Sequence, residues 1–205
     1  MESFTIYNGT RKIIISAPHA ARHIRNGEEK YAEPETGIIA GRMQQCYDIS
    51  CVVKEKDTGD DPNYDNRSEY RNQLQEYIIK HRIGLLFDLH ELAPEREMDV
   101  CIGTGHGENI GGREDILRVL IEEFEKIFPG RVTVDMPFAA SYENTVSAST
   151  ARRCSIPCFQ LEFNSGIFED KTIIDKICAA LSRVCVYWER NENAGMVDCK
   201  CICKE

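Results

Sequence analysis

The sequence has no apolar run long enough to cross a bilayer. Its longest, such as Ile13 to Ile15, are a few residues, where a spanning helix needs about 20. It also has no cluster of lysine and arginine, and with 25 basic against 34 acidic residues its net charge is −9. A surface of that average sign repels phosphate backbones, so neither nucleic acid nor a membrane is an expected partner. There is no Pro/Gly/Ser linker, no shift in composition and no internal repeat. The expected organisation is therefore one domain over residues 1–198, followed by a Cys-rich tail at 199–205. The opening Met1-Glu2-Ser3-Phe4 lacks the basic-then-apolar layout of a secretory signal, so the expected compartment is the cytoplasm.

What is present is a globular composition: 205 residues, 42% hydrophobic and 29% charged, enough to bury one core. The ten cysteines are read as reduced. Cys46, Cys51, Cys101, Cys178 and Cys185 stand singly in apolar stretches, where a thiol behaves as a small buried hydrophobe. Short apolar runs alternate with helical periodicity, the pattern of layered α/β structure. The predicted architecture is a three-layer α/β/α sandwich with a mostly parallel mixed central sheet. Strands are expected at Lys12 to Ser16, Cys51 to Lys54, Gly84 to Leu89, Met98 to Gly103, Arg131 to Val134 and Cys158 to Phe163. Helical spacing marks Ile38 to Cys46, Tyr70 to Ile78, Ile116 to Ile127 and about Thr172 to Trp188. Stretches 17–35, 56–67, 91–97, 103–112 and 137–150 read as irregular.

Ligands in open α/β sheets bind at the carboxyl ends of strands, and two of the five histidines fall there. His19 follows the first predicted strand in Ile-Ser-Ala-Pro-His, and His90 ends the third in Asp-Leu-His-Glu. A strand that delivers an imidazole to the sheet's edge is a rigid platform for a metal ligand; the alternative is a pair of histidines satisfied by backbone hydrogen bonds. Asp88 shares a strand face with His90 and is placed to orient it. Glu33 and Glu35 precede the first helix, as candidate carboxylate ligands or as charges favouring a helix N-terminus. Glu162 interrupts an apolar strand, where an unpaired carboxylate is costly. Beside a metal it would be a general base; on an edge strand it and Gln160 would face solvent.

The order Ser-Ala-Pro-His, Glu-Pro-Glu-Thr-Gly at a helix start, Asp-Leu-His at a strand end and Gln-Leu-Glu-Phe-Asn resembles the N-formylglutamate amidohydrolase family, over roughly Ile13 to Phe168. That family is similar in turn to the zinc carboxypeptidases. The resemblance implies a zinc-carboxypeptidase-like fold, zinc held by His19, His90 and an acidic residue, and Glu162 as general base. It favours Glu33 over Glu35, because the family pattern puts an acid three residues before the threonine that opens the helix, here Thr36. The distance from His19 to Glu33 is far longer than the His-x-x-Glu of the carboxypeptidases. Asn66-Arg67 matches the family's Asn-Arg pair, which implies a cation for a substrate carboxylate; Arg71 is the second candidate.

The implied activity is zinc-dependent hydrolysis of an amide bond in a small acidic N-acyl amino acid or short peptide. A non-catalytic metal- or ligand-binding protein on the same scaffold is the alternative, and cysteine chemistry a third. The glycine-rich stretch 103–112 lacks the Gly-Lys-Ser/Thr ending of a phosphate loop and reads as a flexible loop over the site, with His106 as an outside candidate. His23 and His81 read as surface residues. The alternating Cys199, Cys201 and Cys203 form either a soft-metal segment or a frayed tail.

Overall fold

The computed structural model describes residues 3–192. The expected boundary at residue 198 and the Cys199, Cys201 and Cys203 segment lie outside the described residues. Seven strands form one sheet: β1 (Phe4–Tyr7), β2 (Ile13–Ala17), β5 (Ser50–Lys54), β6 (Leu85–Leu92), β7 (Val100–Gly103), β8 (Val132–Val134) and β9 (Cys158–Asn164). Their order is β1-β5-β2-β6-β9-β7-β8. β5, β2, β6 and β9 run parallel, β1 is antiparallel to β5, and β7 is antiparallel to β9 while parallel to β8. A separate hairpin joins β3 (His23–Arg25) to β4 (Glu28–Lys30).

The helices are α1 (Pro34–Tyr47), α2 (Glu69–His81), α3 (Glu114–Glu125), α4 (Val146–Cys154) and α5 (Ile173–Arg190). Strand alternation divides the core in two. Ile13 and Ile15 of β2, Phe87 and Leu89 of β6 and Phe159 and Leu161 of β9 pack with α1, α3 and α5. Ile14, Leu86 and Cys158, on the opposite face, pack with Tyr70, Leu74 and Ile78 of α2 and Val146 of α4. The result is the mixed α/β/α sandwich that the sequence predicts. Each fully buried large apolar side chain contributes about 1.5–3 kcal/mol relative to exposure.

The chain leaves β2 through α1 to β5 on one side, and leaves β5 through α2 to β6 on the other. β2 is thus a topological switch point, where strand order reverses and a crevice opens at the carboxyl ends. Tyr70 of α2 fixes this place. Its hydroxyl meets Ser16 Oγ at 2.9 Å, accepts from Ala17 N and donates to Val52 O.

Three strands and one helix were not expected. β1 is four residues long and half exposed, too short to alternate clearly. α4 has nine residues rich in Ser, Ala and Thr, and starts at Thr145, whose side chain accepts from Ala148 N. The β3/β4 hairpin turns on Asn26 (φ 54°) and Gly27 (φ 78°), and successive positive φ values at Asn-Gly define the turn that matches strand twist. Cys46 is exposed rather than buried. Among the described residues no helix is long and apolar enough to cross a membrane.

Candidate active site

The crevice holds His19, placed by the turn after β2, and His90, on the last part of β6. Glu33 starts α1. Its N–H donates to His19 O at 2.8 Å, which sets side by side two residues 14 apart in sequence. Pro34 at the first helical turn needs no N–H acceptor, and the Glu33 carboxylate makes no cap bond. It turns into the crevice and accepts from Glu91 N at 3.1 Å. Glu35 stays outside the cluster of potential donors.

Three donors converge there. His19 Nδ1 lies 3.1 Å from His90 Nδ1 and 3.1 Å from Glu33 Oε1, and His90 Nδ1 lies 3.3 Å from Glu33 Oε2. The far nitrogens are held from behind. His19 Nε2 meets Asp61 Oδ1 at 2.9 Å and His90 Nε2 meets Asp88 Oδ2 at 3.2 Å, nearer than the 3.4 Å to Asn63 Nδ2. An Nε2–H donated to each carboxylate leaves both Nδ1 lone pairs facing Glu33, the arrangement in which carboxylates orient metal-binding imidazoles. A tetrahedral zinc with ligands at about 2.0–2.1 Å has its ligand atoms about 3.3 Å apart. The two imidazole nitrogens lie near that edge and each has a Glu33 oxygen at a similar distance, so the donor set is compatible with the ion.

A second group, His19, His23 and Asp61, also meets donor spacing. Here a cation is already in place: Arg25 Nε donates to Asp61 Oδ2 at 2.6 Å, and Asn63 N donates to Oδ1. Asp61 is fully buried. Burial alone would raise its carboxyl, but the bonds from His19 and Arg25 outweigh burial and hold it well below the usual carboxylate range. Glu33 behaves alike, with burial opposed and outweighed by His19 and His90. His23 is a correction to the surface expectation. It is buried, stacks on His19 at 3.8 Å between ring centroids, and is pushed down to about 4, first by burial and then by His19.

Glu162 lines the same cavity, of about 480 Å³. It is in register with His90 on the neighbouring strand, and β9 is interior to the sheet, so the solvent-facing edge alternative does not hold. Gln160 donates Nε2–H to Glu162 Oε1 at 2.8 Å. Burial pushes the Glu162 carboxyl up to about 7, against the pull of His90.

Asn66 and Arg67 stand elsewhere. Asn66 accepts from Asn144 Nδ2 at 2.8 Å, and Arg67 lines a separate depression with Ser3 and Phe4, by the β1 edge of the sheet. Ser68 caps α2, and two residues on, Tyr70 turns in to Ser16 and Ala17, while Arg67, just before the cap, lines the depression beside Ser3 and Phe4. Arg71 is buried and donates to the carbonyls of Pro62, Asp65 and Asn144, a brace between loops. The cation that does line the cavity is Arg25, brought by the hairpin, and Asn26-Gly27 was its readable signal. The aromatic wall comes from the loop after β8, with Pro137, Phe138 and Tyr142 lining the cavity and Tyr142 stacked on Tyr64. Gly103 lets that loop sit close to β7, since a Cβ there would lie 2.9 Å from Phe138 O. His106 does not line the cavity; it is exposed, 3.9 Å from Asp135.

No protein-family model matches the chain, and no curated protein matches it in sequence. Solved structures do match in three dimensions. N-formylglutamate amidohydrolase from Ralstonia eutropha JMP134 is 11% identical at a TM-score of 0.58, over 93% of this chain and 100% of that one. A bacteriophage poly-gamma-glutamate hydrolase is 12% identical at 0.56, over 95% of this chain and 91% of that one. A metallo-carboxypeptidase from Burkholderia cenocepacia is 12% identical at 0.54, over 86% of this chain and 57% of that one. At these identities the likeness is one of fold, and the chain has the fold of the carboxypeptidase-like amidohydrolases that its motifs resemble.

Proposed function

We propose that the protein is a zinc-dependent hydrolase of an amide bond in an N-acyl amino acid or short peptide. The observation that carries this reading is the convergence of His19 Nδ1 and His90 Nδ1, 3.1 Å apart, on the two oxygens of the Glu33 carboxylate at 3.1 and 3.3 Å, beside Glu162 in one cavity. The structural neighbours named above support it, being amide-cleaving enzymes in the main. Zinc, when bound, supplies a Lewis acid that polarises a carbonyl and acidifies water. His19, Glu33 and His90 would hold it, with Asp61 and Asp88 fixing the two rings. Glu162 takes a proton from the attacking water on a carboxylate oxygen and passes it to the departing nitrogen. A carboxyl poised near neutrality suits both halves of that transfer. Gln160 fixes its rotamer. Arg25, in place of Arg67, pairs with a substrate carboxylate. The cytoplasm belongs to the same proposal, supported by the buried thiols of Cys51, Cys101, Cys158, Cys178 and Cys185.

The test is metal content per chain in protein purified without added metal or a histidine tag, for the intact protein and for His90→Ala. Stoichiometric zinc that is lost in the variant, together with turnover of an N-acyl amino acid or peptide, supports the reading. Absence of zinc even after its addition removes it, and leaves the ligand-binding alternative.

A further inference from the structure

The cavity beside the histidines is one half of a longer cleft. A second depression of about 510 Å³ adjoins it, and Arg25, Glu33 and Glu91 line both. Glu33 is a corner of the donor triangle, Glu91 follows His90, and Arg25 is tied to Asp61. His19 and His90 line only the first half, and Glu33, the third donor, stands at the boundary with the second. Each half falls within the ~300–1,000 Å³ of sites that enclose a drug-sized ligand, so an N-acyl amino acid fills one and leaves the other empty.

The two arms differ in chemistry. The first is aromatic. Tyr64 and Tyr142 stack at 5.6 Å, Arg25 lies over Tyr64 at 5.5 Å, and Arg96 lies over Phe138 at 5.6 Å. The second is amphipathic, with Lys30, Tyr31, Leu92 and Pro94 among its walls. Tyr31 is 91% exposed, a large ring presented at the edge of the cleft where a ligand chain can lie against it.

We propose that the cleft takes an extended peptide-like chain across both arms and cuts it internally, with an aromatic or large apolar side chain of the amine half against Tyr64, Phe138 and Tyr142. The inference rests on the amide-hydrolase reading and deepens it. Direction follows from Glu162, which lines only the first arm. The nitrogen that receives its proton lies on that side, and the acyl half runs over Glu33 and Glu91 toward Tyr31. The step is hydrolysis: the C–N bond breaks, the water oxygen forms the new C–O bond, and one water proton travels by Glu162 to the nitrogen. The products are a carboxylate and an amine.

The experiment uses the full chain with zinc and a set of capped, amidated alanine peptides carrying one phenylalanine, lengthened on either side. N-formyl and N-acetyl amino acids serve as short references. Rates, cleavage position by mass spectrometry, and calorimetric binding to the metal-free protein are measured in parallel. The expected result is cleavage on the acyl side of the phenylalanine, with kcat/KM at least about tenfold above the short references. Affinity should grow as either end is lengthened. Tyr31→Ser should remove the gain from the acyl end, and Tyr142→Ala should remove the preference for phenylalanine over alanine. Short references cleaved as fast as the peptides, or a length gain that both variants leave intact, would overturn the proposal. If no amide is cleaved, the hydrolase reading fails separately. Length-dependent binding then still upholds the two-armed cleft, and length-independent or absent binding overturns it.

Discussion

The two faces of β6 and β9 are equally withdrawn from water and yet differ in kind. On one, Leu85, Phe87, Leu89, Phe159, Leu161 and Phe163 pack against α1, α3 and α5. On the other, the order along the strands is Leu86, Asp88, His90 and Cys158, Gln160, Glu162, apolar at the start and ionisable at the carboxyl ends. The first face stabilises by removing apolar area from water. The second carries charges whose desolvation opposes folding, and each persists through a named partner, Asp88 with His90 and Glu162 with Gln160, as does Asp61 of the neighbouring loop with His19 and Arg25. Burial alone therefore does not separate core from site. What separates them is whether a side chain's loss costs packing or chemistry.

The sharpest break in that contrast is Glu162→Gln. It should lower kcat by about 10²–10⁴-fold while zinc content and Tm stay near the parent's, and retained turnover would exclude Glu162 as the proton carrier. Phe159→Ala, one position along from the polar Gln160, should do the reverse. It is expected to lower stability by about 3–5 kcal/mol in a denaturant titration, with the zinc-to-chain ratio of the folded fraction unchanged. Asp61→Asn keeps the size of the side chain and weakens the orienting charge, so zinc affinity measured against a competing chelator should fall about 10–100-fold.

A pH series on metal-free protein tests the cost of the polar face. Glu162, at about 7 when folded against 4.5 as its ordinary value, binds its proton more tightly folded than unfolded. Its contribution to stability is then fully present below 4.5 and is lost as pH rises through about 7. The difference in unfolding midpoint between parent and Glu162→Gln should shift in that direction across this window; a difference independent of pH would contradict it. The smallest effect lies far from both faces. Arg11 forks onto Glu189 of α5 at 2.6 and 2.8 Å, a partly exposed pair, and Arg11→Ala should cost no more than about 1 kcal/mol.

The layers were readable in sequence because β2, β6 and β9 are apolar runs and α3 and α5 keep one apolar stripe. His19 and His90 were readable because each closes such a run, and Glu162 because it breaks one. Asp61 and His23 were not, since nothing in their stretches repeats or alternates over any length, and for Arg25 the Asn26-Gly27 turn marked a hairpin but not where it would fold; the hairpin and the 61–65 turn bring all three to the crevice. Arg67 carried a motif, but a motif does not say which way a side chain turns, and Arg67, just before the Ser68 cap, lines the depression with Ser3 and Phe4.

A single missing side chain governs the aromatic wall. Any residue larger than glycine at position 103 must lift the loop that carries Phe138 and Ala140, which a Cβ would approach to 2.9 and 3.1 Å. None of His19, Glu33, His90 or Glu162 belongs to that loop. The shape of the aromatic wall therefore hangs on one backbone position, and that position lies in register with Gln160, the partner of Glu162, so the wall and the buried carboxylate share one strand pair.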